Sequence, residues 1–383
     1  MAFLDYFRRR RLLKATRWRE LGAMNATFTT FGADVFQSDI VRGCVRSLAD
    51  FTSKATAQCS KTQIGRILNE RPNIYMSGVD FLKKVRTRYE IYNSVFIYIH
   101  RDDRGTASGF YPVPYSSFAA LEYQNGLFIE FRFAGTEEKI VLPWEDLAVL
   151  RKDYNKSDIA GDDNNAVLEM LELIHTTNQG IANAVKATAN LRGILKNTKA
   201  ILASEDVKRQ KEQFVRDYLN LGNEGGIASL DATQEFTPIK MEPTVTTAEQ
   251  LREFRESVQR YFGVSENIIT GKASPDEIES FYVLRVEPFL VALSAELTSK
   301  AFTDKERGFG NYIVYEANKL QFASLITKIA VWNAVVLYGG MTINEWRKAC
   351  NMAPLEGGDE LIRRLDAGNV TNNGKEGDDN GEN

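Results

Sequence analysis

Cysteine and histidine are both scarce in this 383-residue chain, with three of the first and two of the second. Cys44, Cys59 and Cys350 cannot build a disulfide framework and stand at none of the CxxC spacings of a zinc site. They read as buried or free thiols of a reducing compartment. With only His100 and His175, a mechanism resting on a His-rich metal centre is excluded. A surplus of positive charge is missing too. The 48 Lys and Arg against 51 Asp and Glu leave a net charge of −3, whereas a tight, sequence-independent DNA binder normally carries a large basic excess. No run of about 18 apolar residues exists; the best stretch, from Leu325 to Leu337, is broken by Thr327, Lys328 and Asn333. The opening MAFLDYFRRRRLLK places apolar residues before its charges, the reverse of a secretory signal. A soluble protein without an export address is expected.

The motifs of common chemistries are also absent. There is no GxxxxGK[ST] phosphate loop and no GxGxxG after a strand, which argues against a self-sufficient NTPase. No GxSxG elbow, HExxH or EF-hand loop occurs. HRDDRG at 100–105 matches part of a kinase catalytic loop but lacks the downstream Asn, the DFG and the Gly-rich loop. It reads as a strand followed by a charged turn. The pairs Asp102–Asp103, Asp162–Asp163 and Asp378–Asp379 fall in expected turns or tails, where solvation accounts for them. No catalytic residue, metal site or cofactor is assigned, and an enzyme is not expected.

What is present is an ordinary globular balance, 43% hydrophobic and 26% charged, in a chain long enough for several cores. Residues 1–20 carry seven basic and two acidic side chains interleaved with Phe3, Leu4, Phe7, Leu12, Leu13 and Trp18. That composition suits either a solvated terminal helix or an arm touching a membrane or nucleic acid. Val41, Cys44, Val45, Leu48, Phe51 and Ala55 recur at helical spacing and predict a core helix over 40–57. A second helix is expected over 79–92. The period then falls to two, and VFIYIHR (95–101), FAALEYQ (118–124), LFIEFRF (127–133) and EKIVLPW (138–144) read as strands between turn signals. The first 150 residues are therefore expected to form an α+β fold.

Behind the polar GDDNN (161–165), a long helix to about residue 189 has its apolar positions diluted by Asn178, Gln179 and Asn183. It is too polar for a monomer core on all sides, and suits packing against copies of itself or exposure along one face. A small insert comes next: LRGILKN (191–197) as a strand, a charged helix over 205–219, the GNEGG turn (222–226), and strand-like IASL and FTPIKM. The insert from 191 to 243 balances eight basic with eight acidic residues. AEQLREFRESVQRYF puts Leu251, Phe254, Val258 and Tyr261 on one helical stripe, most simply a core stripe. GVSENIITGKASPDEIES (263–280) reads as a loop. A helix over 281–302 contains Pro288, which predicts a kink. NYIVYEA (311–317) is an expected strand, 319–338 an apolar helix, and 343–350 the start of another. From Gly368 the chain should be disordered.

Two segments together resemble the portal proteins of tailed bacteriophages, in the large branch typical of long-tailed phages. In RYFGVSENIITGKASPDEIESFYVLRVEPFLVALSAEL (260–297), Phe262, Gly263, Val264, Ile269, Gly271, Glu279, Phe281 and Pro288 match the family pattern. In YGGMTINEWRKACNMAPLEGGDE (338–360), Gly340, Thr342, Asn344, Glu345, Arg347, Pro354, Gly357, Gly358 and Asp359 match. LPWEDLAVLR (142–151) before the long helix fits as well. Two departures stand out: Ser265 where the family often has proline after FGV, and GDDNN where it has a glycine-serine-proline step. The order of elements agrees over roughly residues 30–365.

The resemblance implies an α+β, multidomain subunit of a homo-oligomeric ring, a dodecamer, at one capsid vertex of a virion assembled in the host cytoplasm. On that pattern, 1–160 hold the N-terminal arm and wing, 161–190 a stem helix, 191–246 the clip and 247–263 the second stem helix. Residues 264–280 become the tunnel loop, 281–317 a kinked wing helix and strand, 318–365 the helical crown, and 366–383 an acidic tail. The ring would pass double-stranded DNA in packaging and ejection and help nucleate the procapsid with the major capsid protein or a scaffold. The tunnel-loop residues Asn267, Lys272 and Ser274 would face DNA. Lys196, Lys199, Lys208, Arg209 and Lys211 in the clip would dock the terminase large subunit and later a head-completion adaptor. No membrane partner is implied. The charge balance agrees, because binding through Z phosphates has a salt slope of roughly −0.9Z and a strongly basic tunnel would grip DNA rather than let it slide. Two other classes stay open on the residues alone: a non-viral oligomeric scaffold or adaptor without a channel, and a kinase-like or metal-dependent enzyme built on HRDD.

Overall fold

A computed structural model describes residues 19–25, 29–30, 33–34, 36, 38–124, 126–135, 137–189, 193–197, 205, 208–209, 212, 234–238, 248–316, 325–350 and 352–362. The chain forms two compact units. The first takes residues 1–28, 34–164 and 262–383; the second takes 29–33 and 165–261.

In the N-terminal part the elements are β1 (Arg19–Asn25), β2 (Thr29–Thr30), β3 (Ala33–Asp34), α1 (Asp39–Thr52), β4 (Thr56–Cys59), α2 (Thr62–Glu70) and α3 (Gly78–Tyr92). Strands β5 (Ser94–Arg101), β6 (Ala107–Pro112), β7 (Ser117–Tyr123), β8 (Gly126–Arg132), β9 (Lys139–Pro143) and β10 (Leu147–Arg151) come after them. Strands β1, β7, β8 and β9 form one antiparallel sheet in that order, and β10, β5 and β6 form another.

The alternation along β5 explains how the two sheets share a core. Phe96 and Tyr98 join Phe118, Ala120, Ile129, Phe131, Ile140 and Leu142 in one buried cluster. Within it the Phe96 ring centroid lies 4.8 Å from Phe118, 5.1 Å from Phe131 and 5.3 Å from Tyr115, all in edge-on arrangements. Such pairs add about 0.5–1.5 kcal/mol each beyond area burial. Val95, Ile97 and Ile99 occupy the other face of β5 and are fully buried as well, so this strand is covered on both sides.

Helix α1 buries Val41, Cys44, Val45 and Leu48 at the spacing of one helical face. It ends sooner than the expected helix over 40–57: Ser53 closes it, and Ala57 lies in β4, which pairs antiparallel with β13 (Ile313–Glu316). Ser77 starts α3 by accepting the Asp80 N–H, and Asn93 ends it in the left-handed region at φ 51°. The first 20 residues are not one helix, since Arg19 and Glu20 belong to β1, opposite Glu122 and Leu121. Residues 1–18 lie outside the described residues.

In the second unit, α4 (Asn165–Ala189) buries Val167, Leu171 and Ile174 and exposes Glu169, Glu172 and Leu173, the one-sided pattern expected. Strands β11 (Gly193–Asn197) and β12 (Gln234–Pro238) pair antiparallel, with Lys196 opposite Glu235. Helix α5 (Ala248–Phe262) closes the excursion, with Val258 fully buried. The expected IASL strand, the GNEGG turn and most of the 205–219 helix lie outside the described residues.

Beyond it come α6 (Glu266–Thr270), α7 (Pro275–Phe281), a π-helical turn (Tyr282–Val286), α8 (Glu287–Ala301) and α9 (Asp304–Gly308). After β13, α10 (Leu325–Val331), a second π turn (Trp332–Val336) and α11 (Ile343–Ala349) complete the described elements. Thr342 caps α11 in a reciprocal box with Glu345. The acidic tail from 363 lies outside the described residues.

Candidate functional site

The segment between α5 and α8 carries the residues singled out as DNA-facing. It is not the loop that its Gly, Ser and Pro content suggests. Gly263, at φ 66°, turns the chain out of α5, and buried Val264 and Ile268 anchor the next turn of backbone. Ser265 caps α6, and Gly271, at φ 73°, ends it in the left-handed conformation that glycine adopts without a Cβ penalty. Ser274 then caps α7: its hydroxyl accepts the Glu277 N–H at 3.3 Å, and the Glu277 carboxylate accepts the Ser274 N–H at 2.8 Å. Pro275 occupies the first turn, where its missing N–H costs nothing. The S-x-x-E spacing that signals this box is readable at 274–277.

Two helical turns therefore meet at a short tip, Gly271–Lys272–Ala273. The Lys272 N–H donates to the Asn267 carbonyl at 2.9 Å, which fixes the tip backbone while the side chain stays exposed. Asn267 is exposed but engaged, its amide donating to the other Glu277 oxygen at 2.9 Å. That bond, followed by the Ser274 N–H, holds the Glu277 carboxyl below the usual carboxylate range. Ser274 is committed to its cap. Of the three residues, Lys272 alone presents a side chain to which the structure gives no fixed role. Between 264 and 280 it is the single cation against Glu266, Asp276, Glu277 and Glu279, one positive against four negative, or −3 per copy.

Just before Pro288, where a kink is expected, the helix passes through a π turn, Tyr282–Val286. The Glu287 N–H reaches back to the Tyr282 carbonyl, and the Arg285 carbonyl is taken by the Arg86 guanidinium at 3.0 Å. Residues 275–301 thus form one continuous helical run, which helices α1 and α3 support through Phe51 against Phe281 and Tyr89 against Phe289.

Lys196 stands mid-strand in β11, and Lys208 and Arg209 are exposed on helical backbone. Lys199 and Lys211 lie outside the described residues.

HRDDRG is a structural turn. Asp102 accepts the Arg104 and Thr106 N–H groups at 3.0 and 2.8 Å, and Arg101 pairs with Asp146 at 3.0 Å while its guanidinium donates to the Lys300 carbonyl at 2.7 Å. Among the described residues, no three His, Cys, Asp or Glu side chains stand together as a metal site, and no helix is long and apolar enough to cross a membrane.

Known proteins share this architecture. The family model described as phage portal protein matches residues 40–351. Probable portal proteins of Lactococcus phages p2 and SK1 are each 27% identical over 191 residues, 48% of this chain and 50% of theirs. The chain thus spans about half the length of these curated relatives. Among solved structures, the neck of a native gene transfer agent particle computed with C12 symmetry superposes with a TM-score of 0.57 at 15% identity, covering 84% of this chain and 92% of that one. The crystal structure of an HK97-family phage portal protein from Corynebacterium diphtheriae gives a TM-score of 0.52 at 16% identity, over 79% of this chain and 99% of that one.

Proposed function

The chain belongs to the phage portal protein family, and from that premise we propose that it acts as a closed ring of copies at one capsid vertex through which double-stranded DNA enters and leaves. The single observation that carries this reading is the reach of the family match: it runs through both compact units and through the capped 264–280 segment. A head-to-tail contact closes into a ring when its rotation divides a full turn, and twelve copies are the proposed number.

Within the ring, residues 264–280 face the DNA and Lys272 makes the one cationic contact per copy. The surrounding carboxylates matter as much as the lysine. A segment of charge −3 repeated around a channel repels phosphates and leaves DNA free to slide, with Lys272 as an intermittent restraint. Asn267 and Ser274 serve by fixing the tip on which Lys272 stands. The 191–246 insert is the docking module for the terminase large subunit, whose ATPase drives movement, and afterwards for a head-completion adaptor. Lys196, Lys199, Lys208, Arg209 and Lys211 are its cationic contacts. Assembly with the major capsid protein or scaffold takes place in the host cytoplasm, and the ring remains in the virion.

The test is Lys272→Ala in a packaging assay. Assembled rings are expected, with an altered packaging rate or poorer retention of packaged DNA. Unchanged rate and retention would remove Lys272 from the DNA path.

A further inference from the structure

The chain leaves the first unit at Asn164 and re-enters it at Phe262. Both points rest on one buried cluster of charges. Glu90, on α3, is 2% exposed; one carboxylate oxygen accepts from Arg86 at 2.7 Å and the other from the Lys152 ammonium at 2.8 Å. The main-chain carbonyls of Glu90 and Ile91 accept from the Asn164 amide at 3.2 and 2.8 Å, which ties down the departing chain. The Lys152 ammonium lies 5.4 Å from the centre of the Phe262 ring, at the point of return. Arg86 reaches further: it donates to the Arg285 carbonyl at 3.0 Å inside the π turn, with its guanidinium 4.6 Å from the centre of the Phe289 ring. The Arg285 side chain in turn covers Gly263, where a Cβ would stand 2.0 Å from its Nε.

The cluster is poorly built for stability alone. It places two cations on one carboxylate and leaves the buried Arg86 Nε without a partner. Buried ion pairs roughly break even against apolar packing because desolvation offsets their attraction. Burial alone would raise the Glu90 carboxyl, yet Arg86 and Lys152 outweigh it and hold the group ionised. What such a cluster does supply is direction, since each bond fixes the orientation of a different stretch of chain.

We propose that Glu90 is a positioning residue: its main-chain carbonyl holds the departure at Asn164, while its carboxylate, through Arg86 and Lys152, holds the π turn at 282–286 and the return at Phe262–Gly263, so that one residue keeps all three in one arrangement. A displacement of the 264–280 segment is then passed to both chain crossings together instead of being absorbed at Gly263. This holds whatever the ring's cargo is, because it concerns only how these stretches are held.

Hydrogen–deuterium exchange read by mass spectrometry on the full-length protein tests it. Glu90→Gln keeps the shape and removes the charge. Exchange is expected to rise tenfold or more at 260–264 and 282–287 together, with 160–166, tied to main-chain carbonyls that the substitution keeps, and the β7–β9 sheet unchanged. Arg86→Lys keeps a cation beside Glu90 but cannot also span to the Arg285 carbonyl, so only 282–287 should loosen. This second variant serves if Glu90→Gln does not fold. A change confined to α3, an even rise across the whole protein, or wild-type exchange at 282–287 in Arg86→Lys would each overturn the proposal.

Discussion

Replacing Gly161 with alanine should be costly although its backbone angles suit any residue. A Cβ at 161 would stand 2.0 Å from the Lys152 carbonyl oxygen and 2.3 Å from that of Asn93. Both are main-chain atoms without rotamers to yield, and the Asn93 oxygen already accepts the Lys152 N–H at 2.8 Å. Overpacking a tight site costs about 1–3 kcal/mol, and weakening that buried hydrogen bond adds about 1 kcal/mol. Reduced freedom of the unfolded chain returns about 0.4–1 kcal/mol. The net expectation is a loss of about 1–3.5 kcal/mol. Two other glycines calibrate it. Gly180, inside α4 with open space around it, should gain about 0.5–1 kcal/mol as alanine. Gly105, at φ 78° but also unobstructed, should lose about 1 kcal/mol from backbone strain alone. Urea unfolding at fixed protomer concentration measures all three, with the midpoint compared at constant m. A Gly161→Ala protein within about 0.5 kcal/mol of wild type, or ranked above Gly180→Ala, would refute the steric reasoning.

Ionisable groups give two further expected outcomes. The Cys44 thiol, fully buried on α1, is pushed up to about 12 chiefly by burial; iodoacetamide at pH 8 should therefore label it only after unfolding, while half-buried Cys350 reacts in the native protein, and equal native rates would contradict this. The Glu306 carboxyl is drawn down to about 2 by the Lys61 ammonium, then by the Thr303 N–H and hydroxyl. A pKa lower in the folded state gives stability that is complete above the ordinary value of 4.5 and vanishes as pH falls toward 2. Acid unfolding of Lys61→Met should show a shallower dependence across that window, and an unchanged slope would remove the assignment.

The elements most legible in the sequence are those whose partners lie nearby. The strands at 95–101, 118–124, 127–133 and 138–144 are legible because each sends aromatic or aliphatic residues into the shared core, and adjacent strands β7, β8 and β9 pair with their sequence neighbours. The first two residues of strand β4 read as helix because its partner, β13, lies more than 250 residues away and nothing local requires the strand. Strand β6 carries Gly109 and Pro112, which weaken its pattern, although the β5 pairing overrides them. The 264–280 segment shows the converse error. Its Ser, Gly and Pro residues read as loop formers, whereas Ser265, Gly271, Ser274 and Pro275 are the caps of two helices. Pro288 marks the neighbourhood of the π turn, while the Arg86 guanidinium that bonds to a carbonyl of that turn lies about 200 positions away in the sequence. The Glu90 cluster is invisible in the sequence for the same reason: only the Arg86–Glu90 pair has helical i,i+4 spacing.

Everything proposed for the 264–280 segment and the clip presupposes a closed ring threaded by duplex DNA. Cryo-electron microscopy of the purified protein and of assembled heads would show that ring or its absence. Rings of twelve copies are expected in the heads, with a central opening that admits a B-form duplex and Lys272 at its wall. A protein that is monomeric in every preparation, heads included, or a ring whose opening is too narrow for a duplex, would contradict the assignment.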